Sequence, residues 1–348
     1  MISGRIIHLC GWDKKFILSF RDLIQAHFAD GRHRFIVYGP VDQAALSQSM
    51  DTVVYGSLLK NIFAVSKAMQ HAEKIILHGL FSTHLLYILA LQPWLLKKCH
   101  WVIWGGDLYV HQAEVKDWRW RKNEVFRRLV IQRLGYLLTY IPGDVVLARQ
   151  WYGATGQHQE CLMYTSNIFK DLVIPPKTDS VINILVGNSA DPTNNHLEVF
   201  EKLAAYKSEN MMIYCPLSYG GIDGNYAKQI AEKGTAMFGD RFVALTDFMP
   251  FRKYLEFLGQ IDIAVFAHKR QQGMGNTITL LGLGKKIYMC SDVTPWMLFD
   301  GLGLKVFDFR ILDLTRINYE AQIKNKNIIK KYFSEATLSK KWRHIFED

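Results

Sequence analysis

The sequence predicts an α/β protein of two doubly wound, parallel-sheet domains, and three observations predict it. Short apolar runs alternate with helix-period segments from the first residues onward, which is the mark of βαβ units. The alternation breaks once, at Asn167 to Ser180, where Pro175-Pro176 and a polar run stop regular structure, and then it restarts. The chain has 348 residues, 49% of them hydrophobic, more apolar material than one core of about 100 to 200 residues uses.

In the first half, strands are expected at Arg5 to Leu9, Arg34 to Tyr38, Lys74 to Leu77, His100 to Trp104, Tyr136 to Tyr140 and Cys161 to Tyr164. Between the first two, Phe16, Ile17, Phe20, Leu23, Ile24 and Phe28 keep the 3.6-residue spacing of one buried helix face. This defines a first domain over residues 1–166, with a linker at 167–180. The second domain, 181–316, carries strands at Ile182 to Val186, Met211 to Cys215, Phe242 to Leu245, Ile261 to Ala267 and Lys286 to Met289. Its helices are expected at Asn195 to Ala205, Tyr226 to Phe238, Phe251 to Leu258 and Thr277 to Leu283. The tail, 317–348, is helix-like and Lys-rich, with Tyr332, Phe333, Trp342 and Ile345 to bury, and is expected to cross back to the first domain.

Composition narrows the class. The 42 Lys+Arg against 32 Asp+Glu leave +10, which favours anionic partners. Cys10, Cys99, Cys161, Cys215 and Cys290 are scattered, with no CxxC pair or metal-ligand spacing, as in a reduced cytosolic protein. The N-terminus lacks a signal-peptide core, and the longest apolar stretch, Leu85 to Leu96, falls far short of the roughly 20 residues that cross a bilayer. Secreted, disordered, collagenous and membrane-spanning classes are excluded.

In open parallel sheets, ligands bind beyond the carboxyl ends of the strands. There, Gly187-Asn188-Ser189 reads either as a tight βα turn or as a backbone cradle for an anion. In Ala267 to Lys286, a strand ends in Lys269, Arg270, Gln271 and Gln272, followed by Gly273, Gly275 and a helix that Asn276 or Thr277 would cap, an arrangement suited to a diphosphate. A phosphate cradle so late in the chain fits a nucleotide-sugar transferase better than a dehydrogenase. Phe248 to Phe251, including Pro250, would meet a nucleobase or form a hydrophobic staple, and Tyr219 is a further donor-side candidate. In the first half, Asp13, His78 and Asp107 follow strand ends, where a carboxylate or imidazole can take a proton from an attacking hydroxyl; each also reads as a structural cap or backbone partner. Trp94, Lys97, Lys98, Trp118, Arg119, Trp120, Arg121 and Lys122 pair interfacial aromatics with cations, which suits an anionic lipid surface or a plain solvated helix. No nucleic-acid motif accompanies them, so nucleic acid is not expected as a partner.

The stretches WVIWGGDLY (101–109), ILVGNSADPTNNH (184–196) and RQQGMGN (270–276) resemble glycosyltransferase family 56, the TDP-N-acetylfucosamine:lipid II N-acetylfucosaminyltransferases, also described as 4-alpha-L-fucosyltransferases. The resemblance implies a GT-B fold, two Rossmann-like domains facing a cleft, with a nucleotide sugar held by the second and an acceptor by the first. It places Gly187, Asn188, Ser189, Asp191, Asn194 and His196 in one donor loop and Arg270, Gln271, Gln272, Gly273 and Gly275 in the diphosphate loop. His78, Gly79, Trp104, Gly105 and Asp107 fall on the acceptor edge. It also implies a TDP-sugar donor, a polyprenyl-diphosphate-linked saccharide acceptor, a place on the cytoplasmic face of the bacterial inner membrane, and a role in enterobacterial common antigen or O-antigen synthesis. No metal or other cofactor is expected, because helix N-termini and cations can stabilise the departing diphosphate and no DxD motif is present.

Other readings compete. A relative serving an O-antigen or capsule cluster would use another TDP-, UDP- or GDP-linked sugar such as fucose. A nucleotide-sugar epimerase or dehydrogenase would carry a glycine fingerprint after its first strand, which RIIHLCGWD lacks. A membrane-associated nucleotide-binding scaffold would keep the fold without turnover.

Overall fold

The computed structural model describes residues 4–11, 13–40, 51–113, 115–171, 174–175, 177–220 and 224–347. The chain forms two compact units, Met1–Ser166 with Glu335–Asp348, and Asn167–Ser334.

The first unit is a parallel sheet of β1 (Ile6–Gly11), β2 (His33–Tyr38), β3 (Thr52–Tyr55), β4 (Lys74–His78), β5 (Cys99–Val102), β6 (Tyr136–Leu138) and β7 (Gln157–Gln159), in the order β3-β2-β1-β4-β5-β6-β7. Its helices are α1 (Lys14–His27), α2 (Ile62–His71), α3 (Thr83–Ala90), α4 (Gly106–Tyr109), α5 (Trp118–Arg133) and α6 (Pro142–Tyr152). The strand order reverses between β1 and β4, so the loops after these two strands flank the point where doubly wound sheets bind ligands. Strands covered on both faces are largely apolar, and β4, KIILH, is buried throughout, its polar ends Lys74 and His78 both hydrogen-bonded. On α1, Ile17, Phe20, Leu23 and Ile24 are buried as their spacing predicts, as is Phe28 just past its end, while Phe16 in the first turn is half-buried.

The second unit contains β8 (Ile182–Val186), β9 (Met211–Pro216), β10 (Phe242–Leu245), β11 (Ile263–Phe266), β12 (Lys286–Met289) and β13 (Phe307–Asp308), in the order β10-β9-β8-β11-β12-β13. It also contains α7 (His196–Leu203), α8 (Asn225–Phe238), α9 (Phe251–Gln260), α10 (Met274–Gly282), α11 (Thr294–Gly301) and α12 (Tyr319–Tyr332). Here the order reverses between β8 and β11. Helix α12 belongs to this unit: Asn325 is buried and exchanges two hydrogen bonds with the Lys305 backbone, at 2.8 and 3.0 Å.

The chain ends on α13 (Glu335–Glu347), part of the first unit. Trp342 is fully buried and its indole donates to the Met163 carbonyl at 2.9 Å, while Lys74 Nζ donates to the Ile345 carbonyl at 2.9 Å. The tail is therefore divided, α12 packing in one unit and α13 in the other.

Several elements differ from the sequence expectation. Cys161 to Tyr164 is buried but not a strand: Met163 takes a positive φ of 68° and the Tyr164 amide donates back to the Leu162 carbonyl at 2.9 Å. The last strand of that sheet is instead the polar Gln157–Gln159, an edge position that needs no apolar alternation. The edge strands β3 and β13 are short and half-buried, which is why no periodicity marked them. The described residues of the expected linker pack in the second unit, Phe169 N donating to the Phe333 carbonyl at 2.7 Å and Gln260 Nε2 to the Pro175 carbonyl at 3.1 Å. Pro176 lies outside the described residues.

Candidate functional site

In the second unit the two glycine-containing loops meet. Gly187 follows β8 with φ of 68°, and a Cβ there would lie 2.6 Å from His196 Nε2 and 2.8 Å from Asn194 Oδ1, so only glycine lets the turn close on these side chains. Asn194 is the buried hub. Its Oδ1 accepts from Asn188 N at 2.8 Å and lies 2.9 Å from His268 Nε2, while its Nδ2 donates to Ser189 Oγ at 3.2 Å and to the Asp191 carbonyl at 2.9 Å. The loop after β11 joins through Gln272, whose Oε1 lies 2.6 Å from Thr193 Oγ1 and whose Nε2 donates to Ser189 Oγ at 3.3 Å. Arg270 pairs with Asp191 at 3.4 Å, and Lys269 is exposed.

Gly273, with φ of 64°, is the N-cap of α10, and a Cβ on it would press on His268 and Asn188 at 3.1 and 3.2 Å. The expected caps are displaced by this turn: α10 begins at Met274, so Gly275, Asn276 and Thr277 lie inside it. Asn276 Nδ2 donates to Tyr254 Oη at 2.9 Å, and Thr277 Oγ1 donates to the Gly273 carbonyl at 3.1 Å. The amides of this helix start, the Arg270 guanidinium and Lys269 are the groups here whose chemistry suits an anion. Asn188 Oδ1 and Gln271 Oε1 are buried without a hydrogen-bond partner among the described residues. Burial holds His268 and His196 neutral, at about 3 and about 4, with the charge of Arg270 adding to the effect at His268. Tyr219 is exposed and accepts from Ala190 N through its carbonyl at 2.6 Å. Phe248 is 84% exposed and Phe251 is also exposed, beside Pro250, the N-cap of α9.

In the first unit, Asp107 is fully buried. Its Oδ2 accepts from Leu80 N at 2.9 Å and Trp101 Nε1 at 2.7 Å, and its Oδ1 from Trp104 N at 3.0 Å and Leu108 N at 3.1 Å. Burial raises its carboxyl pKa, and these donors together with Arg127 oppose that shift. Arg127 Nη1 in turn donates to the Leu80 carbonyl at 2.8 Å and the Asp107 carbonyl at 3.2 Å. With both oxygens engaged inside the protein, Asp107 ties the loop after β4 to the loop after β5 instead of facing an acceptor hydroxyl.

His78 is likewise interior, in a chain of hydrogen bonds crossing three neighbouring strands. Trp104 Nε1 donates to Tyr164 Oη at 2.9 Å; Tyr164 Oη lies 2.7 Å from His78 Nδ1; His78 Nε2 lies 3.1 Å from His8 Nδ1; and His8 Nε2 lies 2.9 Å from His33 Nδ1. His33 Nε2 lies 3.9 Å from the Asp30 carboxylate. Each neutral histidine donates at one ring nitrogen and accepts at the other, so one direction of donation runs through His78, His8 and His33 and the three share one tautomer, while His33 Nε2 has no hydrogen-bond partner among the described residues. Burial lowers all three, His78 to about 3, His33 to about 4 and His8 well below the ordinary value. Asp13 is half-buried and its Oδ1 accepts from Phe16 N at 3.3 Å, capping α1. Among the described residues no group of His, Cys, Asp or Glu could hold a metal ion.

A family model described as 4-alpha-L-fucosyltransferase, glycosyl transferase group 56, matches residues 6–302. The chain belongs to this fucosyltransferase family. It is a glycosyltransferase with a GT-B fold. Among solved structures, a glycosyltransferase from Rickettsia africae ESF-5 is similar at a TM-score of 0.68 and 11% identity, over 99% of this chain and 98% of that one. HepE from Anabaena, in complex with UDP and glucose, is similar at 0.66 and 12%, over 99% of each chain. WaaG, a glycosyltransferase involved in lipopolysaccharide biosynthesis, is similar at 0.55 and 11%, over 98% of this chain and 95% of that one.

In this family 56 chain the residues expected at a membrane surface divide. On α5, Trp118 is 67% exposed and Arg119, Arg121 and Lys122 are exposed beside Val125 and Leu129. Trp94, at 62%, and Lys97 are also exposed. Trp120 and Lys98 are not available to lipid in the same way. Trp120 is half-buried and donates to the Val110 carbonyl at 2.9 Å, while Lys98 Nζ donates to the carbonyls of Gln70 at 2.9 Å and Ala72 at 2.7 Å, closing the C-terminus of α2. No helix of the described residues is long and apolar enough to cross a membrane. Sequence reading singled out His8 only as an ionisable group near a strand end and Arg127 only as part of the basic segment that begins at Trp118, and it gave no site role to His33, Phe81 or Tyr164.

Proposed function

We propose that this family 56 glycosyltransferase moves a deoxyamino sugar, N-acetylfucosamine or a close relative, from a TDP-linked donor to a polyprenyl-diphosphate-linked saccharide in bacterial surface polysaccharide synthesis, enterobacterial common antigen or O-antigen. The observation that carries the reading is the joining of the two loops at the β8/β11 switch point, around the N-terminus of α10. There the helix amides, Arg270 and Lys269 meet the charge on the departing diphosphate, and the exposed Phe248 ring supplies a surface for the base. In this reading no bound metal is required, and a chelator leaves turnover unchanged.

Of the three acid-base candidates, Asp13 supports the role of base: it is partly exposed at the β1/β4 switch point, while Asp107 and His78 are engaged in the interior. Asp13→Asn is expected to lower kcat at least 100-fold with donor binding intact, and wild-type turnover in that variant would remove Asp13 from the role. The cationic, Trp-bearing face of α5 supports peripheral binding to the anionic cytoplasmic face of the inner membrane. Reversing Arg119, Arg121 and Lys122 to Glu is expected to abolish binding to phosphatidylglycerol vesicles, and unchanged binding would refute it.

The deciding experiment is thermal stabilisation against TDP, UDP and GDP, followed by transfer from the matching sugar nucleotide. A selective TDP shift supports the reading. UDP belongs in the panel because HepE was solved with UDP, and a UDP or GDP shift would change the donor while keeping the enzyme class. Nucleotide binding without transfer would favour the scaffold.

A further inference from the structure

Phe81 is a large aromatic residue held in solvent by a rigid support. It is 52% exposed, in the loop between β4 and α3, at the carboxyl end of the sheet. Both neighbours are fixed. Leu80 donates its amide to Asp107 at 2.9 Å and accepts at its carbonyl from Arg127 at 2.8 Å, and Ser82 Oγ accepts from Leu85 N at 3.3 Å as the cap of α3. Two glycines make room for the ring: a Cβ on Gly79 would lie 2.7 Å from Phe81 Cε2, and one on Gly106 would lie 3.4 Å from Phe81 Cε1. Beside it stands Trp104, its ring perpendicular to Phe81 at 5.9 Å between centroids and edge-on to Phe16 at 4.7 Å. The Trp104 indole is pinned by Tyr164 at 2.9 Å, and Tyr164 by the His78–His8–His33 chain.

We propose that Phe81 and Trp104 form an aromatic corner that binds a sugar ring of the acceptor, with Asp107, Arg127 and the histidine chain as its positioning residues. The inference rests on the transferase reading given above and names the acceptor feature that this unit recognises. Pyranose rings present C–H groups to the electron-rich faces of aromatic side chains, and two perpendicular rings fit a compact six-membered ring better than a flat lipid surface. Placement at the sheet's carboxyl edge is where a doubly wound domain takes its ligand. Keeping a ring exposed while burying a carboxylate, a guanidinium and three histidines to hold its surroundings costs stability, which a binding role explains.

The test uses Phe81→Ala, Phe81→Leu and Phe81→Trp in the full chain. The probes are methyl and phenyl glycosides of glucose and N-acetylglucosamine, read by tryptophan fluorescence, alongside the acceptor KM. Ala and Leu are expected to weaken glycoside binding and raise acceptor KM at least tenfold, with donor KM and thermal midpoint unchanged, while Trp retains both. Wild-type affinity in the Ala variant, or full function with Leu, would overturn the corner. So would loss of vesicle binding with acceptor KM unchanged, which would make Phe81 a lipid contact. If glycosides bind and depend on Phe81 but no sugar nucleotide supports transfer, the corner stands and the transferase reading falls.

Discussion

Asp107 shows what a single buried charge does in this protein. Four donors within 3.1 Å converge on its carboxylate, two of them backbone amides from separate loops after β4 and β5. Asp107→Ala removes all four acceptor contacts and leaves their buried donors unpaired, so a loss of about 3 to 5 kcal/mol is expected in unfolding measurements. A thermal midpoint within a degree of wild type would refute the clamp. The histidine chain makes a second prediction at this scale. Nitrogen NMR of the imidazoles should find His8, His33 and His78 in one shared tautomer at neutral pH; different tautomers among the three would break the chain of hydrogen bonds that joins them. Residue types alone pointed to Asp13, His78 and Asp107 equally, because a carboxylate or imidazole after a strand reads the same whether it caps, ties loops or faces substrate. Burial and partners separate them.

Helix α10 is the element on which the proposed nucleotide binding turns. Its N-terminus is set by Gly273 in the left-handed region, close against His268 and Asn188. Gly273→Ala is expected to cost about 1 to 2 kcal/mol of stability from backbone strain and to weaken nucleotide binding at least tenfold, as the helix start is pushed from the loop after β8. Isothermal titration with the nucleotide that stabilises the protein checks this, and unchanged affinity would show that the cradle does not depend on that turn. The element's existence was legible from the apolar spacing of Ile278, Leu281 and Gly282's neighbours, but its start was not. Asn276 and Thr277 are good caps by type, yet Asn276 bonds Tyr254 and Thr277 bonds back along the helix. A long-range contact decides where a local signal is ambiguous. The edge strands β3, β7 and β13 escaped for the complementary reason: only strands covered on both faces must be largely apolar.

At the scale of the molecule, six buried histidines among the described residues have depressed pKa values: His8, His33, His78 and His100 in the first unit, His196 and His268 in the second. Burial is the leading cause at each. The folded state holds them neutral, while the unfolded chain takes up protons below its ordinary value near 6.5. Their stabilisation is therefore complete above about pH 6.5 and is lost as pH falls toward 4, by about 1.4 kcal/mol per pH unit for each histidine. The thermal midpoint should be level from pH 8 to 7 and fall steeply below 6.5; a level midpoint down to pH 5 would contradict the neutral interior histidines. The sequence by itself determined the α/β class, the two units and the places of the principal strands along the chain, because hydrophobic period and turn chemistry are local in the chain. Only the tertiary structure decided that His8, His33 and His78 form one chain, that Asp107 and Arg127 hold Phe81 in place, and that α12 and α13 belong to different units. Those relations join residues tens to hundreds of positions apart, and strand order and burial, which set them, have no signature at any single position.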